Sequence, residues 1–193
     1  MSQSEHRLAL PVAADLARRI ADDLRPVCER VEIAGSIRRQ RETVGDIELV
    51  VIPKFSASLF PHIPGQNLLD MHLVALMHQQ RLMRAWAQDT RLEELTCKDF
   101  YVGSLFRQGT LFKVQINVST PERWPVELAI KTGSADFSHK LVTYRKYGGF
   151  LPGHWKIGDG WKVYVGEEQL LFESERDFIE QICGAWVAPE KRD

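Results

Sequence analysis

The chain is poor in the features that mark several classes of protein. Its three cysteines, Cys28, Cys97 and Cys183, are far apart and odd in number. Such spacing gives no disulfide framework and no metal-ligand or redox motif, so thiols in a reducing cytoplasm are expected. No apolar run approaches the ~18–20 residues of a membrane span. The opening residues, "MSQSEHRLALPVAADLARR", hold no uncharged stretch long enough for a secretory signal. A cytoplasmic protein with no membrane partner is therefore expected. Neither charge sign dominates: 25 Lys and Arg face 26 Asp and Glu, for a net charge of -1. That argues against a global field that captures nucleic acid, but leaves room for a local basic groove. There is no internal repeat and no low-complexity tract.

What is present suits a packed core. Hydrophobic residues make up 44% and charged residues 26% of the 193 positions, enough for one moderately large domain or two small ones. "PVAADLARRIADDLR", residues 11–25, reads as a helix, with Pro11 at its start and Ala13, Leu16, Ala17, Ile20 and Leu24 on one face. "VEIAGS" reads as a strand running into a Gly-Ser turn, and "DIELVVIP" as a second strand closed by Pro53. A Pro-containing loop over 54–66 leads to a helix over roughly 67–87, with Asn67 and Asp70 as its capping pair and Leu69, Leu73, Leu76, Met77 and Met83 as its apolar face. "DFYVGSLF" and "LFKVQINVS" flank the turn "RQG" as a hairpin, with Phe112, Val114, Ile116 and Val118 alternating on one side. "VELAI" reads as a further strand. From about residue 134 a small second lobe is expected. It contains a helix in "SADFSHKLVTYRKYG", a hairpin around Gly158-Asp159-Gly160, and a last helix capped by Ser174 and stopped by Gly184.

The stretch "GSIRRQRETVGDIELVV", residues 35–51, carries the chemistry. Asp46 and Glu48 are two apart in a strand and share a face. Two adjacent carboxylates repel, and a divalent cation resolves the repulsion; oxygen donors of this kind suit Mg²⁺ together with substrate phosphates. The turn at Gly35 and Ser36 offers backbone N–H groups and a hydroxyl to phosphate oxygens. Arg38 and Arg39 add fork-shaped donors of matching geometry.

"GSIRRQRETVGDIE" resembles the palm signature of the family X DNA polymerases, the DNA polymerase beta-like nucleotidyltransferases. In that signature Gly-Ser-x-Arg-Arg is followed by five variable residues, then Gly-Asp and a second carboxylate two residues on. A second block, "VQINVSTPERWPVELAIKTGSADFSHKL", is similar to the family's third catalytic strand and its Thr-Gly-Ser turn. "GAWVAPEKR" resembles the tail of the compact, often phage-borne, members. The resemblance covers roughly residues 8–193. It implies an α+β fold, with a nucleotidyltransferase palm (a mixed β-sheet flanked by helices, with an N-terminal helix) over residues 1–133 and a thumb-like lobe over 134–193. It implies two divalent ions, Mg²⁺ or Mn²⁺, and transfer of a nucleotide from a (d)NTP to the 3′-hydroxyl of a DNA primer by a monomeric enzyme, as in DNA repair. Asp46 and Glu48 match the first two metal-holding carboxylates, with Glu in place of the family's usual Asp at the second. Gly35, Ser36, Arg38 and Arg39 match the triphosphate-holding turn, and Gly45 a residue whose backbone approaches it. Thr132, Gly133 and Ser134 match the turn beside the incoming sugar. Phe137, Ser138 and His139 fall where the family's helix touches the nascent base pair, and His139 is the candidate contact.

Two departures qualify this expectation. The third carboxylate, 17 residues before Thr132, is Gln115, a neutral side chain that cannot act as a base near neutral pH. A retained nucleotide site with a slow or absent chemical step is expected, and Glu127 or Asp99 are the acids considered as substitutes. No helix-hairpin-helix domain fits in residues 1–27, so DNA contact would fall to the palm and to a lobe holding Lys140, Arg145, Lys146, Lys156 and Lys162. Tyr144, Tyr147, Trp155 and Trp161 are expected in the core of that lobe. The competing expectations are a non-catalytic nucleotide- or DNA-binding module of the same fold, and transfer of a nucleotide to a protein or small molecule.

Overall fold

The computed structural model describes residues 7–57, 65–78, 83–84, 100–107 and 110–193. It is a mixed α+β protein of two compact units. Residues 1–33 and 42–118 form the first, and residues 34–41 and 119–193 the second. Segments 34–41 and 119–133, assigned above to the first domain, thus pack within the second unit.

In the first unit, β1 (Leu8–Ala9) leads directly into α1 (Leu10–Leu24), where Pro11 occupies the first turn. Ala13, Leu16, Ala17, Ala21 and Leu24 are buried, and the helix lies against β2 (Cys28–Ile33) and β4 (Asp46–Pro53). A short turn over Arg25–Val27 contains Pro26, which ends the helix by lacking an N–H. β3 (Thr43–Val44) pairs with β1. The main sheet has five strands in the order β2-β4-β7-β6-β5, where β5 is Met83–Arg84, β6 is Phe100–Arg107 and β7 is Thr110–Val118. All neighbours are antiparallel except β4 and β7, which run parallel. The expected hairpin is present, with Phe112, Val114, Ile116 and Val118 buried.

The helix expected over 67–87 is shorter. α3 spans Leu68–His78, and Met83–Arg84 pairs with β6 as a strand. Asn67 does cap it, its side-chain oxygen accepting from the Leu69 N–H at 2.9 Å, and Leu69, Leu73 and Leu76 are buried.

The second unit opens with α2 (Gly35–Arg38), one helical turn where a simple Gly-Ser turn was expected. Gly35 starts it at a φ of +60°, a conformation that costs glycine little and other residues more. "VELAI" is not a strand but the middle of α4 (Trp124–Thr132), with Pro125 in its first turn. α5 (Ala135–Val142) and α6 (Glu175–Cys183) follow, with a three-stranded antiparallel sheet between them: β8 (Trp155–Ile157), β9 (Val163–Val165) and β10 (Glu168–Leu170). The core joins Val126, Ala129 and Ile130 of α4 to Phe137 and Leu141 of α5, Trp155 and Val163 of the sheet, and Phe178, Ile179 and Ile182 of α6. Trp155 is buried as expected, and Tyr144 and Trp161 pack on the core, but Tyr147 is 71% exposed. Among the described residues no helix is long and apolar enough to cross a membrane.

Candidate functional site

The parallel pairing of β4 with β7 builds the acidic face of the first unit. Its register sets Asp46 opposite Lys113 and Glu48 opposite Gln115. Paired residues of neighbouring strands lie about 4.8 Å apart and point the same way. Ile47, Leu49, Val114 and Ile116 alternate with them and are buried, which leaves Asp46, Glu48, Lys113 and Gln115 partly or fully accessible on the other face. The matched third position therefore stands beside the second carboxylate, a neighbour 67 positions away in the chain.

The side chains at that face are already occupied with one another. Gln115 Nε2 donates to Asn117 Oδ1 at 2.9 Å, and Asn117 Nδ2 donates to the Leu49 carbonyl at 3.0 Å. This amide relay ties β7 to β4, and Asn117 is buried. An aspartate at 115 has no N–H to give and would face the Asn117 oxygen with another acceptor. Lys113 Nζ lies 3.8 Å from Asp46 Oδ2. Two carboxylates with a neutral neighbour fit one divalent cation. The same donors do not fit a pair, because the third is an uncharged amide engaged as a donor and an ammonium stands beside Asp46. Among the described residues no group of three or more His, Cys, Asp or Glu side chains is gathered for a metal ion. Glu127, considered above as a substitute in a strand, is instead buried in α4 of the second unit, where Arg123 Nη2 donates to it at 3.4 Å. Asp99 lies outside the described residues. Among the described residues a Cβ at Gly45 would meet only the Arg7 guanidinium, at 3.5 Å.

The second unit brings together most of the residues matched to nucleotide binding. Arg38 Nη1 donates to Thr132 Oγ1 at 2.7 Å and to Glu175 Oε1 at 2.6 Å, while Nη2 donates to Glu175 Oε2 at 2.6 Å. Arg39 Nη1 donates to the carbonyls of Thr132 and Gly133 at 2.6 and 2.9 Å. So α2 is clamped to the Thr-Gly-Ser turn at the end of α4. Ser134 caps α5, accepting from the Phe137 N–H at 3.1 Å. The fork of Arg38, expected to meet phosphate, is thus spent on a carboxylate. Ser36 differs: its Oγ is buried and has no hydrogen-bond partner among the described residues. A buried hydroxyl left unsatisfied costs about 1–3 kcal/mol. His139 is exposed, its Nδ1 3.5 Å from Thr143 Oγ1, and stands outside this network.

Two residues central to the network were not singled out from the sequence. Arg192 is fully buried, donates to Glu175 Oε1 at 2.5 Å and to the Val187 carbonyl at 2.9 Å, and stacks on Trp186 at 4.8 Å. Glu175 therefore bridges two guanidinium groups. Burial raises its carboxyl pKa, but the Arg38 hydrogen bond and the charges of Arg38 and Arg192 outweigh this and hold it below the usual value. The signal available beforehand was the tail "GAWVAPEKR", whose last residue is Arg192.

No known protein-family model matches the chain, and no curated protein matches it in sequence.

Proposed function

We propose that the chain is a nucleotidyltransferase of the DNA polymerase beta-like type, adding a nucleotide from a (d)NTP to a DNA 3′-hydroxyl at a reduced rate. The observation that carries this reading is the parallel register that sets Glu48 beside position 115 on one sheet face. The sequence motif requires that neighbour, and strand pairing supplies it independently of motif spacing. In this reading the first unit is the palm, and Asp46 and Glu48 would hold one Mg²⁺ or Mn²⁺. Bound there, the ion would neutralise triphosphate charge and orient the phosphates. Ser36 and Arg39 are the residues that the resemblance matches to the triphosphate, and Arg39 is held by the Thr132 and Gly133 carbonyls. Arg38 acts indirectly by holding α2 to Thr132. The slow step is assigned to Gln115, which supplies neither charge nor base where the primer hydroxyl must lose its proton.

Primer extension with labelled dNTP and Mg²⁺ or Mn²⁺ tests this directly. Product above an Asp46→Ala control is expected, with an increase of ~10²-fold or more in Gln115→Asp, provided that variant stays folded. No product above the control in either metal, from the wild type and from folded Gln115→Asp alike, would overturn it.

A second reading has its own observation. Gln115 and Asn117 form a relay that stabilises the sheet, as a site released from catalysis would be free to do. A non-catalytic nucleotide- or DNA-binding module then binds dNTP in a metal-dependent way and stays inert after Gln115→Asp.

A further inference from the structure

We infer that Lys113 serves as the second positive charge of the Asp46–Glu48 face, so that the face takes one divalent cation and Lys113 competes with that cation for Asp46. This rests on the metal reading of the preceding section. The register places Lys113 directly across from Asp46, and its ammonium lies 3.8 Å from Oδ2. Their side chains are 52% and 33% exposed, so the pair is hydrated and each partner can exchange. An exposed ion pair of this kind contributes little to stability, and its consequence is for charge instead.

The formal charge of these four paired side chains favours one ion over two. Asp46 and Glu48 give −2, Gln115 gives nothing, and Lys113 returns +1. One divalent cation carries this to +1, and a second would carry it to +3 with no further anionic donor from β7. The ammonium cannot coordinate, having three donors and no lone pair, so it can only repel an ion seated on Asp46. A charge of +1 about 5 Å from +2 in a water-like dielectric weakens binding by about tenfold. Lys113 and Gln115 thus act in one direction. The neutral amide withholds a ligand from a second ion, and the ammonium both occupies its electrostatic place and loosens the first.

The test is a titration of the full chain with Mn²⁺ alone, free Mn²⁺ being read by electron paramagnetic resonance, so that no turnover is needed. The wild type is expected to bind one Mn²⁺, and Asp46→Ala to lose it. Lys113→Met and Lys113→Gln are expected to bind one Mn²⁺ about tenfold more tightly, less so at high salt, whereas Lys113→Arg stays near the wild type. The double variant of Lys113→Met with Gln115→Asp is expected to take up a second ion. Unchanged affinity in both neutral Lys113 variants, with binding still lost in Asp46→Ala, overturns the role of Lys113 and leaves the metal reading standing. Two ions in the wild type overturn the single-ion inference. No Mn²⁺ bound by the wild type or by either neutral Lys113 variant overturns the metal reading and this inference together.

Discussion

Arg38 shows why a residue matched to a ligand must also be followed to its partners. Its planar fork fits a carboxylate as well as a phosphate, and Glu175 holds it at 2.6 Å through both oxygens. The same carboxylate neutralises Arg192, which has no contact with solvent. Removing the negative charge leaves Arg192 buried without its counter-charge, a change that typically costs about 3–5 kcal/mol. Glu175→Gln should therefore lower the urea midpoint sharply, while Lys113→Gln, at an exposed pair, should barely move it. The sign of the pH dependence follows from the depressed carboxyl pKa. The unfolded chain binds the proton more readily than the folded one. The stabilisation is thus complete above the unfolded carboxyl value, near 4.3, and is lost as pH falls through the lower folded value. Stability curves of the wild type and Glu175→Gln should run apart at neutral pH and converge in acid. Parallel curves down to pH 2 would show that Glu175 makes no such contribution.

At the scale of elements, local chemistry was legible and long-range packing was not. Ser174 and Gly184 were readable as ends of α6 because capping is a property of a few adjacent residues: Ser174 accepts from the Asp177 N–H at 3.1 Å, and Gly184 adopts a φ of +83°. β4 and the β6–β7 hairpin were readable from β-branched runs and alternation. "VELAI" reads as a strand because α4 is buried almost all round, so its apolar residues show no helical stripe. α3 reads as longer in the sequence because leucine and methionine continue past it, although the chain at Met83 has a strand partner to meet. The candidate site divides in the same way. Asp46, Glu48 and the Gly-Ser-x-Arg-Arg turn stand together in sequence, whereas Glu175, Arg192 and Lys113 owe their roles to distant partners. Gly133 joins the two kinds of information. A Cβ there would come within 2.6 Å of Ser138 Oγ and 2.9 Å of Phe137 Cδ1, and Ser138 Oγ is itself tied to the Ile130 carbonyl at 2.6 Å. Gly133→Ala should then cost about 1–3 kcal/mol by overpacking the turn from α4 into α5. Thermal melts would detect that loss with no nucleotide present, and an unchanged melt would reserve the glycine for ligand approach alone.

For the molecule as a whole, a net charge of -1 sets the terms on which it could meet DNA. Without a global field, affinity must come from local contacts to backbone phosphates. The basic residues expected for this in the second unit are not equivalent. Arg145 is committed to the protein, its Nε donating to the Phe150 carbonyl at 3.0 Å and its Nη2 to that of Ile182 at 3.1 Å. Lys140, Lys146 and Lys156 are exposed and Lys162 is half-buried. Lys146 lies 4.8 Å from the ring of the exposed Tyr147, so base stacking and phosphate contact could come from adjacent residues there. Taken as the phosphate contacts, these four lysines bound the counterion release they can account for. On the proposed DNA-binding reading, log affinity for duplex DNA should fall with log salt with a slope no steeper than about −4. Lys146→Ala should reduce that slope by about one, and Arg145→Ala should instead lower the melting temperature by freeing two carbonyls. A steeper slope, or one indifferent to Lys146, would show that these four lysines are not the set of phosphate contacts. Affinity that does not depend on salt would remove phosphate contacts from the account altogether.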